Sequence, residues 1–225
     1  MEIGELLGSG RTADVYAIGG ERVLRRYRVA VDARLEAAVM AYVAGHGFPV
    51  PDVHPGESTS TDLVMARLSG PTMLRAMIDG EISFEEAGAV LARLLRRLHE
   101  IPARYSADPG DRVLHLDLHP DNVLLTPQGP YVIDWCNTRE GPPGLDCATS
   151  AVILAQVAID AESEFASPAL AVLGPLLAGL GAAMDFGAGL DLARARRGAD
   201  PALAAREVAL LDGAVALIRE LRQDA

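Results

Sequence analysis

The chain has 225 residues, enough for one large domain or two small lobes with a sizeable core. Apolar residues make up 50% of it and aromatic residues only 4%, so we expect a core built from Ala, Leu and Val more than from rings. The formal net charge of −11 argues against nucleic acid or an anionic membrane as a partner and favours a cationic or neutral small molecule.

The cysteines and the first residues of the chain indicate in which cellular compartment we expect the protein. Cys136 and Cys147 do not form the pattern of a disulfide-rich secreted protein, and acidic residues lie close to the first methionine, unlike a signal peptide. We therefore expect a reduced, cytoplasmic protein. The stretch 166–184 is uncharged but is interrupted by Pro168, Pro175 and several glycines, which predicts a buried helical hairpin; a membrane span is the alternative.

A glycine-rich segment over residues 6–16, LLGSGRTADVY, comes first in chain order. A dinucleotide-binding fold would need a helix after it, but apolar strand patterns follow at 14–18 and 23–27, separated by two glycines. A glycine loop between two strands predicts backbone N–H groups lying over phosphates. A plain glycine-rich hairpin is the alternative. The candidate nucleotide-binding residues of this segment are Gly8, Ser9, Gly10 and Val15.

The next strand supplies a cation. Alternation along residues 22–25 places Val23 and Arg25 on one face, and both are candidates for nucleotide binding. The chain contains no lysine, so any basic side chain at a phosphate site is an arginine or a histidine. The planar guanidinium of Arg25 can bind two phosphate oxygens at once. Arg26 faces the other way and is interpreted as a solvated charge.

A helix and a further strand follow. Asp32 is a suitable N-cap for a helix to about residue 44, which places Glu36 one turn inside it. Residues 62–70 then read as a strand that leaves the first lobe. An adenine edge needs one acceptor and one donor, and a strand end leaves such backbone groups free, so Ala66 and Leu68 are candidates to bind it.

The second lobe is predicted to begin with a core helix. Ser83 and Glu86 form the pattern of a capping box, followed by leucines and valines at helical spacing up to Leu98, and Pro102 ends the segment. His99, near the end of this helix, is interpreted as a structural residue.

The most informative stretch is HLDLHPDNVLL at 115–125, followed by YVIDW at 131–135. Asp117 and Asn122 are five positions apart, so one loop can offer a carboxylate to an attacking hydroxyl and an amide oxygen to a metal on phosphates. Short apolar runs around a Pro-Gln-Gly turn predict a β-hairpin that returns Asp134 beside Asn122. Asp117 would be the base, and Asn122 with Asp134 would hold Mg²⁺. Ordinary turn-capping loop residues are the alternative for either fragment alone.

These two stretches resemble the signature of the aminoglycoside phosphotransferase and choline kinase superfamily, whose members share the protein-kinase-like fold. The resemblance implies an α+β, two-lobed protein-kinase-like fold, with a small β-rich N-terminal lobe over 1–67 and a mostly helical C-terminal lobe over 68–225. It implies an enzyme that uses ATP and Mg²⁺ to phosphorylate a hydroxyl of a small molecule. A nucleotide-binding pseudokinase with a regulatory role and a membrane-attached scaffold are the alternatives.

The resemblance also assigns roles to single residues. It implies Asp117 as the base, with Asn122 and Asp134 as metal ligands. Arg25 stands where these enzymes generally have the phosphate-binding lysine, and kinases pair that side chain with a helix glutamate, here Glu36; an exposed helix glutamate is the alternative.

Further implications of the resemblance concern the neighbourhood of the loop. Members of this superfamily usually have an aspartate at the point where this chain has Asp146, which implies that Asp146 anchors the active-site loop. Helix capping alone would also explain it. Cys136 stands where many relatives have a glutamate. His115 is interpreted as fixing the loop by hydrogen bonding, and His119 is left open between loop support and substrate contact.

The last 65 or so residues are helical in composition but carry no motif. The resemblance places the acceptor on the second lobe and its added helices, so acidic residues there are candidate contacts for a cationic hydroxyl compound such as an aminoglycoside, another antibiotic or an amino alcohol. Solvated helix faces are the alternative for each of them. These candidates are Asp160, Glu162, Glu164 and Asp185.

Overall fold

The structure, a computed structural model, describes residues 2–181 and 187–223. The chain divides into two compact units. The first unit comprises Met1–Pro71 and Leu124–Thr138, and the second unit comprises Thr72–Val123 and Arg139–Ala225. The segment Leu124–Thr138 thus groups with the N-terminal residues. The first unit is therefore made of two separate stretches of the chain.

A four-stranded antiparallel sheet in the order β1-β2-β3-β4 forms the frame of the first unit. Its register places Arg25 opposite Val15 on one side and opposite Leu63 on the other. Ile18 and Leu24 lie in a buried apolar cluster on this sheet. The predicted strand, turn and strand after the glycine segment are confirmed. The strands are β1 Leu6–Ser9, β2 Ala13–Ile18, β3 Arg22–Tyr27 and β4 Asp62–Ala66.

Helix α1, Ala33–Gly45, begins after Asp32, whose carboxylate accepts a hydrogen bond from the N–H of Arg34. The predicted N-cap is therefore confirmed. Later in the chain β6, Val123–Thr126, and β7, Gly129–Val132, form the predicted hairpin. A hydrogen bond of 2.9 Å from Val132 N to Pro49 O holds β7 in the first unit.

The second unit is mainly helical. Its helices are α2 Met73–Ile78, α3 Phe84–Leu98, α4 Pro143–Ile159, α5 Ala166–Leu180, α6 Gly187–Gly198, α7 Ala205–Ala209 and α8 Leu211–Gln223. Two short strands, β5 Arg112–Leu114 and β8 Arg139–Gly141, pair antiparallel. The hydroxyl of Ser83 accepts from Glu86 N, which confirms the predicted start of α3. Helix α4 is buried along most of its length, so the unit packs around it.

The predicted helical hairpin within residues 166–184 is wrong. Helix α5 runs unbroken through Pro175, and Met184 lies outside the described residues. A proline inside a helix removes one backbone hydrogen bond, and in α5 this proline packs closely against Gly88 of α3. A Cβ atom at Gly88 would lie 2.5 Å from Val172 O, so only glycine permits this approach. Among the described residues no helix is long and apolar enough to cross a membrane.

Candidate active site

In the first unit, the structure places Arg25 between two carboxylates. Its side chain lies on β3 and is 7% exposed. Nη1 donates to Glu36 Oε1 at 3.2 Å, and Nη2 donates to Asp134 Oδ1 at 2.6 Å. Burial opposes the charge of Arg25, but the attraction of Glu36 and Asp134 outweighs it, so its pKa is raised above the ordinary arginine value. Arg25 therefore remains a fixed cation of this unit.

Glu36 is buried on α1 and accepts from three donors. Besides Arg25, they are the hydroxyl of Tyr27 and the backbone N–H of Trp135, the latter at 3.0 Å. Burial raises the pKa of Glu36, while Arg25 and Tyr27 act in the opposite direction. Nothing in the sequence pattern singled out Tyr27, because its contribution depends on the pairing of its hydroxyl with a residue of another element.

Asp134 follows β7 with a φ of 65°, a left-handed conformation that is unfavourable for a side chain other than glycine. The bond from Trp135 N to Glu36 holds the next peptide in place. The thiol of Cys136 donates to Asp134 Oδ1 at 3.0 Å. Burial, followed by the charge of Asp134, raises the pKa of Cys136, so this side chain supports Asp134 as a neutral thiol.

The glycine segment forms the connection between β1 and β2. Gly8 lies in the exposed strand β1, opposite Val15 of β2. The N–H of Gly10 donates to Ala13 O at 2.9 Å, which closes a tight loop over residues 10–12. Ser9 Oγ donates to Asp14 Oδ1 at 2.6 Å and ties the two strands together beside that loop.

The backbone of the predicted adenine site is only partly as expected. Ala66 ends β4, and its N–H donates to Asp52 O at 2.8 Å. The expectation that both backbone groups are free at this strand end is therefore wrong for Ala66, because its N–H is bonded to the carbonyl of Asp52. The carbonyl of Ala66 and the N–H of Leu68 remain the candidate groups for this site.

In the second unit, Asp117 and Asn122 lie in one loop that ends in a short 3₁₀ turn, Pro120–Asn122. Asn122 is 8% exposed, and its Nδ2 donates to the backbone oxygen of Asp117 at 2.8 Å. This bond fixes the orientation of the amide, whose oxygen Oδ1 is the only atom of the group with a lone pair available to a metal. The carboxylate of Asp117 is about a quarter exposed, at 27%, and so can meet a solute.

His119 supports the same loop. Its Nδ1 accepts from Asp121 N at 3.3 Å, and its Nε2 lies 3.2 Å from Asn122 Nδ2 and 3.9 Å from Asp117 Oδ1. These contacts favour loop support, one of the two roles left open for this residue.

Asp146, in the first turn of α4, is fully buried and holds the start of the loop. It accepts from His115 N at 2.9 Å, from Leu116 N at 2.7 Å and from His99 Nε2 at 3.0 Å. Leu116 has a φ of 62°, so the loop carries backbone strain beside the proposed base. Burial alone would raise the pKa of Asp146, but the hydrogen bond from His99 and the other donors lower it.

The motif-free C-terminal helices contribute a cation that the sequence pattern did not reveal. Arg196 on α6 interacts electrostatically with Asp117 and Asp146. Burial, followed by repulsion from Arg139, lowers its pKa from the ordinary arginine value. No motif in the sequence analysis pointed to Arg196, because its contacts join α6 to a loop almost eighty residues earlier.

Two of the acidic residues proposed as acceptor contacts are already bound by a cation. Both Asp160 and Glu162 accept hydrogen bonds from the guanidinium of Arg206. Glu164 is exposed, and Asp185 lies outside the described residues. The attraction that this cluster could exert on a cationic acceptor is therefore partly neutralised.

The family to which the chain belongs follows from comparison of its sequence. The sequence model that describes the phosphotransferase enzyme family matches residues 3–112 and 106–182. These matches cover most of the chain, including Arg25 and the loop with Asp117 and Asn122. The chain belongs to this phosphotransferase family.

A curated relative is the streptomycin 6-kinase of Streptomyces griseus. It is 27% identical over 132 aligned residues, which cover 40% of this chain and 42% of the relative. The chain thus matches about two fifths of the length of this protein.

Solved structures show the same protein-kinase-like fold. The complex of gentamicin with APH(2")-IIa has a TM-score of 0.58 at 12% identity, covering 88% of this chain and 81% of that one. The amicoumacin kinase hAmiN has 0.57 at 13%, covering 99% and 92%. A choline/ethanolamine kinase family protein from Mesorhizobium loti has 0.57 at 19%, covering 99% and 88%. The α+β fold, with an antiparallel N-terminal sheet and C-terminal helices, is therefore that of the protein-kinase-like phosphotransferases.

Proposed function

We propose that this protein transfers the terminal phosphoryl group of ATP to a hydroxyl group of a small molecule. The observation that carries the proposal is the loop 115–122, which Asp146 holds by two backbone hydrogen bonds and in which Asn122 is bonded to the backbone of Asp117. A loop held in this way keeps a carboxylate and an amide oxygen in fixed positions. Phosphoryl transfer requires mainly such positioning, together with electrostatic stabilisation.

Asp117 is the proposed base. Its partly exposed carboxylate accepts the proton of the acceptor hydroxyl as the oxygen attacks the terminal phosphorus. The bond to the leaving ADP oxygen breaks in the same step. His119 and Asn122 restrict the loop around Asp117, so the carboxylate does not have to be ordered during the reaction.

The proposed metal ligands are Asn122 and Asp134, and both fit a magnesium ion chemically. Mg²⁺ prefers oxygen ligands and keeps several waters, which suits one amide oxygen and one carboxylate that is 31% exposed. When bound, the ion neutralises negative charge on the phosphates. These assignments rest on the motif and on the donor chemistry of each residue within its own unit.

The proposed nucleotide contacts lie in the first unit. Arg25 is a permanent cation held by Glu36 and Asp134, so it can exchange a carboxylate oxygen for a phosphate oxygen without a change of protonation. Adenine is proposed to meet the carbonyl of Ala66 and the N–H of Leu68. The remaining contacts are proposed from the glycine segment and its flanking strands: Gly8, Ser9, Gly10, Val15 and Val23.

The proposed acceptor is a cationic hydroxyl compound, either an aminoglycoside or other antibiotic, or an amino alcohol. The net charge of −11 supports a cation. A relative named streptomycin 6-kinase, a similar structure in complex with gentamicin and a similar choline/ethanolamine kinase family protein support it as well. Among the candidate contacts that the structure describes, Asp160 and Glu162 are bonded to Arg206, whereas His119 and Glu164 show no bond to it. Asp160 and Glu162 remain candidates only if an acceptor displaces that arginine.

A phosphorylation screen tests the proposal. The protein is incubated with ATP, Mg²⁺ and a panel of aminoglycosides, other antibiotics and amino alcohols, and each compound is examined by mass spectrometry for one added phosphoryl group. The Asp117→Asn variant is the matched control, because it retains the size and the neighbours of the residue. ATP binding without phosphorylation of any compound in a broad panel would favour the pseudokinase instead.

A further inference from the structure

The loop over residues 10–12 is bound on one side by a single arginine just beyond β3. The guanidinium of Arg28 donates through Nη2 to the carbonyls of Gly10 and Arg11, the latter at 3.2 Å. Its backbone N–H donates to Thr12 O at 2.8 Å. All three successive carbonyls of the loop are therefore bound by Arg28.

The same guanidinium is itself fixed by a carboxylate. Nη1 donates to Asp14 Oδ1 and lies 3.4 Å from Ser9 Oγ, and that hydroxyl in turn donates to Asp14 at 2.6 Å. The hydrogen bonds from Arg28 and Ser9 hold the pKa of Asp14 below its ordinary value, so the carboxylate stays ionised. Arg28 thus bridges both strands that flank the loop and the loop backbone itself.

The geometry of the peptide bond converts these contacts into a statement about the donors of the loop. In a planar trans peptide, the C=O of one residue and the N–H of the next point in opposite directions. Capture of the Gly10 and Arg11 carbonyls by Arg28 therefore turns the N–H groups of Arg11 and Thr12 to the opposite side of the loop.

We propose that Arg28 is a positioning residue for the nucleotide: it fixes the peptide planes of the glycine loop so that their N–H groups face the phosphates of ATP. The inference rests on the proposed function, because it requires that this loop covers a nucleotide. Arg28 need not touch the nucleotide. Its effect is to order, before binding, donors that a flexible glycine-containing loop would otherwise have to order during binding.

The chain offers a matched control two residues earlier, within β3. Arg26 is 44% exposed in its side chain, against 42% for Arg28, and it is bonded to a single carboxylate, Asp62, at 2.7 Å and 2.8 Å. These bonds also correct the interpretation of Arg26 as a merely solvated charge. Removal of either arginine changes the net charge equally and breaks one exposed ion pair, but only Arg28 holds the loop carbonyls.

The experiment compares Arg28→Ala, Arg28→Lys and Arg26→Ala with the unaltered protein. Titration calorimetry measures the affinity for ATP with Mg²⁺ and, separately, for adenosine, which has no phosphates. We expect Arg28→Ala to weaken ATP binding on the order of tenfold while adenosine binding stays within about twofold. Arg26→Ala should leave both unchanged. Arg28→Lys should recover only part of the loss, because one ammonium cannot reproduce the fixed fork that reaches Asp14 and both carbonyls.

Each other outcome overturns the inference. Unchanged ATP affinity in Arg28→Ala, or an equal loss for ATP and adenosine, would rule out a role specific to the phosphates. Full recovery by Arg28→Lys would reduce the effect to charge. If the unaltered protein bound no ATP at all, the proposed function itself would fail, whereas the preceding outcomes leave it standing.

Discussion

Two buried carboxylates, one in each unit, do similar work in different ways. Asp146 and Glu36 each accept three hydrogen bonds. Each binds a backbone N–H at or next to a residue whose φ is positive, Leu116 in one case and Asp134 in the other. Left-handed backbone at such residues costs free energy, on the order of 1–3 kcal/mol, and both buried carboxylates offset part of that cost.

The difference lies in what else each carboxylate holds. Asp146 accepts hydrogen bonds from two backbone groups of the loop and from His99 at the end of α3. Glu36 also holds the guanidinium of Arg25, the side chain proposed to bind phosphate, and it shares that guanidinium with Asp134. The bonds of Asp146 to His115 and Leu116 hold the backbone of the loop. Glu36 instead shares a cation that is proposed to exchange a carboxylate contact for a phosphate.

The largest expected effect tests the function of the loop that Asp146 holds. Asp117→Asn should lower turnover of any accepted compound by roughly 10²–10⁴-fold, because the amide cannot accept the hydroxyl proton. Affinity for ATP and the melting temperature should stay close to those of the unaltered protein, since the side chain of Asp117 is partly exposed and the substitution keeps its size. Steady-state kinetics and calorimetry measure the two quantities. Near-normal turnover would show that another group is the base.

The next effect separates the two carboxylates directly. Asp146→Asn should destabilise the protein by about 3 kcal/mol and abolish turnover, because an amide places an NH₂ group against backbone donors in a buried site. Glu36→Gln should cost less stability, about 1–2 kcal/mol, and mainly raise the Michaelis constant for ATP through Arg25.

Urea unfolding and ATP kinetics on both variants test this contrast. The contrast between Asp146 and Glu36 is contradicted if the two substitutions change the free energy of unfolding and the Michaelis constant for ATP in the same proportion.

The third effect concerns the cation that Glu36 shares. Arg25→Ala should raise the Michaelis constant for ATP on the order of thirtyfold, which corresponds to about 2 kcal/mol, because phosphate loses its cation and two carboxylates repel each other. Arg25→Lys should retain part of the affinity as a point charge without the bidentate fork. ATP kinetics that are unaltered in Arg25→Ala would shift the phosphate-binding role to another arginine, such as Arg11.

The smallest effect extends the comparison to a carboxylate that is only partly buried. Glu140 accepts from the backbone N–H groups of Arg104, Tyr105 and Ser106 at 2.6, 2.8 and 2.7 Å. Burial alone would raise the pKa of Glu140, but these donors lower it. A lowered pKa gives stability that is present above the unfolded value, near 4.3, and is lost as the pH falls through the folded value.

Glu140→Gln should therefore cost about 1 kcal/mol at neutral pH, and the difference from the unaltered protein should shrink below roughly pH 4. Thermal melts at several pH values measure it. Glu100→Gln, at an exposed carboxylate, is the control and should show no such dependence. A difference that stays constant down to acid pH would contradict the assignment of these three bonds as charge-assisted.

Local sequence signals predicted the elements around the site well. Asp32 and Ser83 mark the starts of α1 and α3 because their side chains accept from backbone N–H groups two or three residues later. Such contacts lie within one turn, so the sequence alone contains both partners. The prediction failed for α5, which continues through Pro175 and packs closely against Gly88, a residue far away in the chain that no local pattern includes.

The acidic cluster shows the same limit at a candidate site. Asp160 and Glu162 stand close together in the sequence and suggested an exposed negative surface for a cationic acceptor. Their common partner, Arg206, follows more than forty residues later in a region without a motif. No pattern within a short window could have revealed that one cation partly neutralises this charge.

The sequence by itself determined the family, the order of the motifs and the chemical types of the site residues, including an arginine at position 25 in a chain without lysine. These properties depend on residue identity and on short spacings along the backbone. The tertiary structure alone decided that Arg25 lies between Glu36 and Asp134, that Asp146 holds the loop, and that Arg28 binds three loop carbonyls. Each of these contacts joins residues distant in the chain, because ion pairs and backbone hydrogen bonds form wherever folding brings charge and donor within about 3 Å.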